Sequence, residues 1–237
     1  MLGRFLELGV HTGEIGESYE FYQLLGFRNV STGDIRTHAY AVVDAGDFCI
    51  GLHALDPADA KLVFVRSDLE SYARALRRLN VGFDYSRLAN DEFNELGFSD
   101  SEGVRVELVE VQTFSEGERR EGQRATCGRF LEYSTMTRSL DDSVAFWSSL
   151  GFEAVASGEE PHRWRRMTGA GLVIGLHESA WFEPGPSFQA EDMEVRLEFL
   201  AARGVEVLDR PRDTAATGAR AKLVAPEGLP LYLFGEN

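Results

Sequence analysis

Two segments of the chain, 125 residues apart, carry nearly the same sequence. Residues 3–27 read GRFLELGVHTGEIGESYEFYQLLGF, and residues 128–152 read GRFLEYSTMTRSLDDSVAFWSSLGF. A match of this length at one offset indicates a duplicated module, which constrains the fold more than any local pattern does. The 237 residues therefore predict two copies of one design, each within the usual size of a domain.

Each copy is expected to contain two strand–helix–three-strand (βαβββ) units. Apolar and polar residues alternate over residues 4–11, and residues 14–25 place apolar side chains at helical spacing before Gly26. The fold class is therefore α+β, with four βαβββ units in all. The further helices are expected at 67–81, 139–150 and 193–205, and the further strands at 27–31, 37–43, 47–54, 61–65, 83–86, 94–99, 104–110, 129–136, 152–156, 162–167, 171–177, 216–224 and 229–234.

A charged segment separates the two copies. Residues 113–126, TFSEGERREGQRAT, contain glycine and show no apolar periodicity, which is the composition of a linker. The predicted division is a first domain of residues 1–112, a linker of residues 113–126 and a second domain of residues 127–237.

Composition excludes several classes of partner. The net charge of -15 disfavours nucleic acid and anionic membranes, and it favours a neutral or cationic small molecule. No apolar run approaches the roughly 20 residues of a membrane span, and the N-terminal residues do not resemble a secretion signal. The two cysteines, Cys49 and Cys127, are too few for a disulfide framework. We therefore expect a cytoplasmic protein, either a monomer that acts as a fused pseudo-dimer or a homodimer.

Three sets of motifs resemble the vicinal oxygen chelate superfamily, which includes glyoxalases, bleomycin-resistance proteins and extradiol dioxygenases. SYEFYQLLGF and SVAFWSSLGF are similar to its first helix, and SDLESYARALRRLNV and EDMEVRLEFLAARGV to its second. SDSEGVRVELVE and PRDTAATGARAKLVAPEGLPLYLF are similar to its closing strands. The resemblance implies two glyoxalase-like domains with cup-shaped mixed sheets around cavities.

The metal pattern of the superfamily is broken in this chain. Metal-dependent relatives place a histidine on the first strand of a unit and a glutamate on the last strand, but here the first-strand position holds Glu7 and Glu132. Lys61 and, in the second copy, a residue near Gly185 occupy the same position of the inner units. Glu107 lies at the closing position of the first copy. Lys61 either supplies a fixed positive charge that neutralises a carboxylate such as Glu107, or is a lysine at the exposed start of a strand.

Tyr232 replaces the closing glutamate in the second copy. A neutral phenol binds divalent ions poorly, so the sequence predicts no metal and no other cofactor. The alternative is a divalent ion such as manganese, iron or zinc, held by Glu107, Glu132 and His177, because two carboxylates and one imidazole make an adequate site.

Other polar residues repeat in the two copies and are expected to face one cavity. Gly51-Leu52-His53 corresponds to Gly175-Leu176-His177, and His38 and Tyr40 correspond to His162 and Trp164. The two histidines of the motif are either cavity residues or hydrogen-bonded structural groups. Glu7 and Glu132 either meet a ligand or form ion pairs with Arg4, Arg129 or another local arginine, because an unpaired buried carboxylate is costly.

These residues suggest a small-molecule site. The predicted ligand contacts are Glu7, His53, Glu107, Glu132, Trp164, His177 and Tyr232. The main hypothesis is a metal-free binding protein of the bleomycin-resistance type that sequesters a cationic or aromatic molecule between or within the two modules. The alternative is an enzyme, namely an atypical metal-dependent lyase, isomerase or dioxygenase of glyoxalase-like type. No catalytic residue is identified.

Two phenylalanines are expected to anchor the duplicated helices. Phe21 and Phe146 occupy equivalent positions of the helices and should pack on the sheet, together with Tyr22 and Trp147. Their replacement by alanine should then destabilise the protein by about 3–5 kcal/mol.

Overall fold

A computed structural model describes residues 2–33, 37–54, 60–89, 93–114, 125–208 and 219–236. Most of the expected linker, residues 115–124, lies outside the described residues, as does the start of the strand expected at 216–224. None of the described helices is long and apolar enough to cross a membrane.

The first half of the chain contains two complete βαβββ units. Their elements are β1 Arg4–His11, α1 Ile15–Leu24, β2 Arg28–Val30, β3 Tyr40–Asp44, β4 Cys49–His53, β5 Lys61–Val65, α2 Leu69–Arg78, β6 Tyr85–Arg87, β7 Glu95–Ser99 and β8 Arg105–Val109. Each predicted element of this half is present, with ends that differ from the expected ones by a few residues.

The second half repeats this order. Its elements are β9 Arg129–Met136, α3 Leu140–Ser149, β10 Glu153–Gly158, β11 Trp164–Gly169, β12 Leu172–His177, β13 Gly185–Ala190, α4 Met193–Ala202, β14 Ala219–Val224 and β15 Pro230–Gly235. The sequence pattern missed β13, GPSFQA, because this strand begins with glycine and proline and has no β-branched residue. Leu208 makes an isolated bridge to Lys222, which extends the sheet of the last unit by one contact.

The two halves form two mixed sheets with the same strand order. The first sheet runs β2-β3-β4-β1-β5-β8-β7-β6, and the second runs β10-β11-β12-β9-β13-β15-β14. In both sheets the first strands of the two units are antiparallel neighbours at the centre, while each also has a parallel neighbour. The predicted α+β fold with two glyoxalase-like modules is confirmed.

A β-bulge interrupts the first strand of each module. The pairing of β1 with β5 shifts between Phe5 and Glu7, and the pairing of β9 with β13 shifts at the equivalent place. Simple alternation puts Leu6 on the face of Leu8, but the bulge moves Leu6 to the face of Glu7 and leaves Phe5 in the main core. The duplication therefore includes this irregularity.

Tyr22 and Trp147, at equivalent positions, anchor the first helices of the modules. Both side chains have no exposed surface, whereas Phe21 and Phe146 are only partly buried at the edge of the core. Phe21 and Phe146 do pack against the core as expected, but Tyr22 and Trp147 are the more deeply buried anchors. The helices are turned so that the next residue points most directly at the sheet.

The two modules share one hydrophobic core. Phe48 of the first module stacks on Phe130 of the second, with ring centroids 4.2 Å apart, and Phe27 meets Phe188 edge-on at 5.8 Å. The backbone NH of Phe5 also donates to the carbonyl of Ala170. The helices and these aromatic residues lie on one side of the sheets, and the opposite side carries Glu7 and Glu132 together with two smaller apolar clusters.

Candidate functional site

A glycine on β12 makes room for a buried carboxylate. Glu132 lies on β9 with its side chain opposite to that of Tyr133, which belongs to the main core. β12 runs parallel to β9 and places Gly175 beside it. A Cβ atom on Gly175 would collide with the carboxylate of Glu132. This requirement explains why the repeated Gly-Leu-His motif begins with glycine.

Glu132 is fully hydrogen-bonded by its own chain. Its Oε1 accepts from Nε2 of His177 at 2.8 Å and from the hydroxyl of Ser134 at 3.0 Å, and its Oε2 accepts from Nε of Arg166 at 2.6 Å. The hydroxyl of Ser134 lies 2.6 Å from that of Ser187. We call the sheet face that carries Glu132, Arg166 and His177 the second polar face.

These partners keep Glu132 ionised. Burial alone would raise the pKa of this carboxyl group, but the hydrogen bonds from His177 and Arg166 and the charge of Arg166 outweigh burial. The resulting pKa of Glu132 is about 2. The second polar face therefore holds a permanent negative charge at its centre, matched by the guanidinium of Arg166.

A second histidine extends this arrangement toward solvent. Nδ1 of His177 lies 3.1 Å from Nε2 of His162, which is partly exposed. A carboxylate only accepts, so Nε2 of His177 carries a hydrogen and donates it to Glu132. Nδ1 of a neutral His177 then accepts from His162, and the outer Nδ1 of His162 keeps its lone pair. Burial and the neighbouring His177 lower the pKa of His162, so its ring is neutral at pH 7.

Trp164 and Arg166 form a wall beside His162. Side chains two residues apart on a strand point to one face, and the contacts of His162 and Arg166 with the Glu132–His177 pair place both on the second polar face. The guanidinium carbon of Arg166 lies 5.6 Å from the centre of the Trp164 ring, and the Arg166 side chain is 27% exposed. The Trp164 ring therefore lies next to a partly exposed guanidinium, on the strand that follows the neutral His162.

Aromatic residues cover the inner part of the second polar face. The ring of Phe182 stacks on His177 with centroids 3.9 Å apart, and it also contacts Tyr232. The hydroxyl of Tyr232 accepts from the backbone NH of Glu183 at 2.7 Å and donates to its carbonyl at 3.0 Å. Burial raises the pKa of Tyr232, so the phenol stays protonated. These two hydrogen bonds of Tyr232 therefore hold the segment that contains Phe182 in place.

The first module contains the same carboxylate and histidine chain in a weaker form. Nε2 of His53 lies 3.3 Å from Glu7 Oε1, and Nδ1 of His53 lies 2.9 Å from Nε2 of His38. Tyr40 donates to the other oxygen of Glu7. In the second module Arg166 pairs with Gly175, and in the first module Val42 pairs with the equivalent Gly51. The first module therefore has no guanidinium at this position.

Lys61 forms an ion pair with Glu107 but occupies a different register from the one predicted. Strand pairing places Val63 between Glu7 and Glu107, and Lys61 two residues away. In the second module the same three neighbouring strand positions hold Glu132, Ser187 and Tyr232. The Lys61 side chain is 20% exposed, so the alternative of an exposed lysine is not what the structure shows.

The predicted site residues therefore fall into two groups. The second polar face holds Glu132, His177, Trp164 and Tyr232. The equivalent face of the first module holds Glu7, His53 and Glu107. Glu7 and Glu132 are 0% and 1% exposed and bonded within the chain, so their direct contact with a ligand stays a prediction. For Glu132 the cation is Arg166, one of the local arginines that the alternative interpretation allowed, rather than Arg129, which pairs with Glu236.

Sequence reasoning missed Arg166 and Ser187. No motif distinguishes Arg166 from Arg163 and Arg165 in the same short segment, and Ser187 lies on the strand that the pattern did not show. The repeat did pair His162 with His38, which was the available signal for the outer histidine.

Replacing Gly175 by alanine tests how tightly the carboxylate is held. The new methyl group would displace Glu132 from His177 and Arg166, so we expect the free energy of unfolding to fall by about 1–3 kcal/mol, measured by urea denaturation. The control is Gly16→Ala, where a Cβ atom meets nothing within 4 Å. That helical substitution should be neutral or stabilising by up to about 1 kcal/mol. Equal effects of the two substitutions would contradict the assigned role of Gly175.

Comparisons with known proteins identify the fold. No family model matches the sequence, and no curated protein matches it. Solved structures do match over 99% of this chain. A variant of homoprotocatechuate 2,3-dioxygenase from Brevibacterium fuscum is similar at 12% identity over 72% of its length, with a TM-score of 0.66. A catechol 2,3-dioxygenase is similar at 12% identity over 88% of its length (TM-score 0.60), and the 2,3-dioxygenase LapB from Pseudomonas sp. KL28 at 16% over 92% (TM-score 0.65).

At these identities the likeness shows the fold alone. Extradiol dioxygenases are members of the vicinal oxygen chelate superfamily, so the resemblance inferred from the motifs is confirmed at the level of fold. The expectation of no cofactor is contradicted, because these neighbours use a catalytic iron or manganese ion.

The residues of this chain nevertheless do not fit such an ion. The strand positions that would supply metal ligands in the second module hold Glu132, Ser187 and Tyr232. Glu132 is bonded to a guanidinium, and the hydroxyl of Tyr232 is bonded to the backbone. In the first module Val63 is apolar and Glu107 is paired with an ammonium group. Within the described ranges, no three His, Cys, Asp or Glu side chains are arranged to hold a metal.

Proposed function

We propose that this chain, which has the fold of the vicinal oxygen chelate superfamily, is a lyase or isomerase that moves a proton on a small planar organic acid. The observation that carries the proposal is the chain of hydrogen bonds from Glu132 through His177 to His162. The reaction would take place at the outer edge of the second polar face, where His162, Trp164 and Arg166 meet solvent. The dioxygenase-like fold of the neighbours supports an enzyme more than a sequestering protein.

The three outer residues have distinct roles in this proposal. Trp164 offers a ring on which a planar substrate stacks. Arg166, held by Glu132 through Nε, directs its remaining NH groups to a carboxylate or enolate oxygen of the substrate. His162 accepts the substrate proton on Nδ1, because its ring is neutral at pH 7.

The buried pair stabilises the charge that this proton brings. As Nδ1 of His162 takes a proton, its Nε2 passes its own proton to Nδ1 of His177. The positive charge then lies on His177, which is 2.8 Å from the ionised Glu132. The carbanion left on the substrate becomes an enolate whose oxygen faces Arg166. Return of the proton to a different atom gives isomerisation, and loss of a leaving group gives a lyase reaction.

Deuterium exchange into enolisable aromatic acids tests this proposal. Phenylpyruvate is one such acid. In D2O the protein should accelerate the exchange of the proton next to its carbonyl group for deuterium, and proton NMR measures the rate. The variant His162→Ala should lower this rate by about 10²–10⁴-fold, the usual contribution of a general base. Arg166→Ala should weaken binding and also lower the rate, because it removes a charge next to the developing enolate.

The duplicated module supplies the control. His38→Ala removes the equivalent histidine from the first module, where Val42 takes the place of Arg166, and should leave the rate within about twofold. Equal rates for the parent and His162→Ala would refute the proposal. Tight binding of the acids without exchange would instead favour the alternative, a protein that sequesters its ligand.

A further inference from the structure

A cavity of about 290 Å³ lies between the two modules, and its lining includes none of Glu132, Arg166 and His177. Its walls come from both halves of the chain. The apolar part includes Val10 and Val104 from the first module and Tyr133 and Leu229 from the second. The polar side chains are His11, Glu183 and Glu227. The size is near the lower end for a small-molecule pocket, and the lining combines apolar residues with polar groups that could orient a ligand.

Glu227 brings a charge to this cavity that no described cation neutralises. Its Oε1 accepts from the hydroxyl of Tyr22 at 2.5 Å and its Oε2 from that of Ser18 at 2.8 Å. Both donors are neutral, and among the described residues no ion pair to Glu227 is found. Glu183 differs, because its carboxylate is paired with Lys222 at 2.7 Å.

The duplication shows what is missing beside Glu227. The equivalent residue of the first module is Glu102, 125 positions earlier, and it is paired with Arg138 at 2.8 Å. Arg138 also donates its backbone NH to Glu102 at 3.1 Å. The residue equivalent to Arg138 in the first module is Gly13. Gly13 has no side chain to pair with Glu227, and a Cβ atom built on it would meet nothing within 4 Å, so a larger residue could begin there without a clash.

His11 adds a hydrogen-bonding group to the same cavity. Burial, together with Lys61 and His53, lowers its pKa to about 4, so the ring is neutral at pH 7. Its Nδ1 is shielded from solvent and has no hydrogen-bond partner among the described residues. A buried polar atom without a partner is costly, and a ligand that bonds it would remove that cost.

We propose that the cavity between the modules binds a small organic cation, an ammonium or guanidinium compound with an apolar body. Its charged group lies against Glu227, in the position that Arg138 takes beside Glu102. Its apolar part lies against Tyr133 and Leu229, and a polar atom reaches His11. The inference does not depend on the proposed function, because none of these residues belongs to the proton-transfer chain.

Calorimetric titration of three compounds of similar size tests the inference. We expect 2-phenylethylamine and benzylguanidine to bind the full-length protein at least tenfold more tightly than the neutral 2-phenylethanol. The preference should shrink as salt is raised, because it comes from a partly exposed charge. Equal affinities for the amine and the alcohol, or no binding of either cation at millimolar concentration, would overturn the inference.

Two variants locate the binding. Glu227→Gln should remove the tenfold preference for the cations. Gly13→Arg should place an internal guanidinium beside Glu227 and abolish cation binding, while the parent carboxylate and its hydrogen bonds remain in place. The second variant keeps the test valid if the first is unstable.

The control is Glu20→Gln, an exposed position on α1 that changes the net charge equally and lies two residues from Ser18, on another side of the helix. It should bind the cations like the parent. Retained cation preference in both Glu227→Gln and Gly13→Arg would overturn the inference, as would an equal loss in Glu20→Gln. Phenylpyruvate exchange, measured in the same samples, reports separately on the proposed function.

Discussion

Replacement of Trp147 by alanine is expected to lower the free energy of unfolding by about 3–5 kcal/mol. Trp147 is the largest side chain of the core and has no exposed surface. It packs edge-on against Phe152 at 5.1 Å and holds α3 on the second sheet. Removing it leaves a cavity that this close-packed core fills only partly, so the lost burial and the empty space both add to the cost.

Phe146→Ala is the matched control for this prediction. It lies next to Trp147 on the same helix, and the substitution gives the same gain in helix propensity. Because Phe146 is only partly buried, we expect a smaller loss, about 1–2 kcal/mol. Urea denaturation of both variants at one pH gives the comparison. A larger loss for Phe146→Ala would show that α3 is turned differently on the sheet.

The second large effect is expected for Glu132→Gln, which should cost about 3–5 kcal/mol of stability because it leaves the guanidinium of Arg166 without its counter-charge. The amide keeps the shape of the carboxylate, so the loss reports on charge rather than on packing. The same variant should lose the proposed exchange activity, since His177 would no longer have an anion beside it when it takes the positive charge.

The stability of the parent should also depend on pH through this residue. The pKa of Glu132 is about 2 in the folded protein against 4.5 for an ordinary glutamate, so the unfolded chain binds this proton more readily. The stabilisation from the carboxylate is therefore complete above about pH 4.5 and is lost as the pH falls through about 2. Glu132→Gln should lack this part of the acid dependence.

The control for both effects is Glu153→Gln, at an exposed position of β10. It removes one carboxylate but breaks no buried ion pair, so its stability and acid dependence should match those of the parent. Unfolding curves between pH 2 and pH 7 make the comparison. If Glu132→Gln and Glu153→Gln show the same pH dependence, Glu132 is not the ionised centre of the second polar face.

The duplication allowed much of the fold to be predicted. Because residues 3–27 and 128–152 repeat each other, the strand and helix positions in one copy support those in the other, and the two sheets do share one strand order. The features that the sequence did not predict are local ones. β13 has no strand-forming pattern, and its pairing with β9 and β15 decides its structure. The bulge at Leu6 depends on cross-strand pairing, which alternation along one strand does not show.

The site was predictable in part for the same reason. Repetition pointed to Glu7, Glu132, His53 and His177, since polar residues that recur on two sheets share an environment. It could not show that Arg166 reaches Glu132, because the two residues are 34 positions apart and β12 lies between their strands.

The sequence by itself thus determined that the chain is two copies of one α+β module, which residues form most of its strands and helices, and that carboxylates and histidines recur on them. Periodicity and repetition are properties of the chain alone. Only the tertiary structure decided that Glu132 is paired with a guanidinium, that Val63 rather than Lys61 lies beside Glu7, and that Glu227 faces a cavity without the arginine that Glu102 has. Each of these depends on which strands and turns meet across the sheets and between the modules, and such distant contacts leave no local pattern.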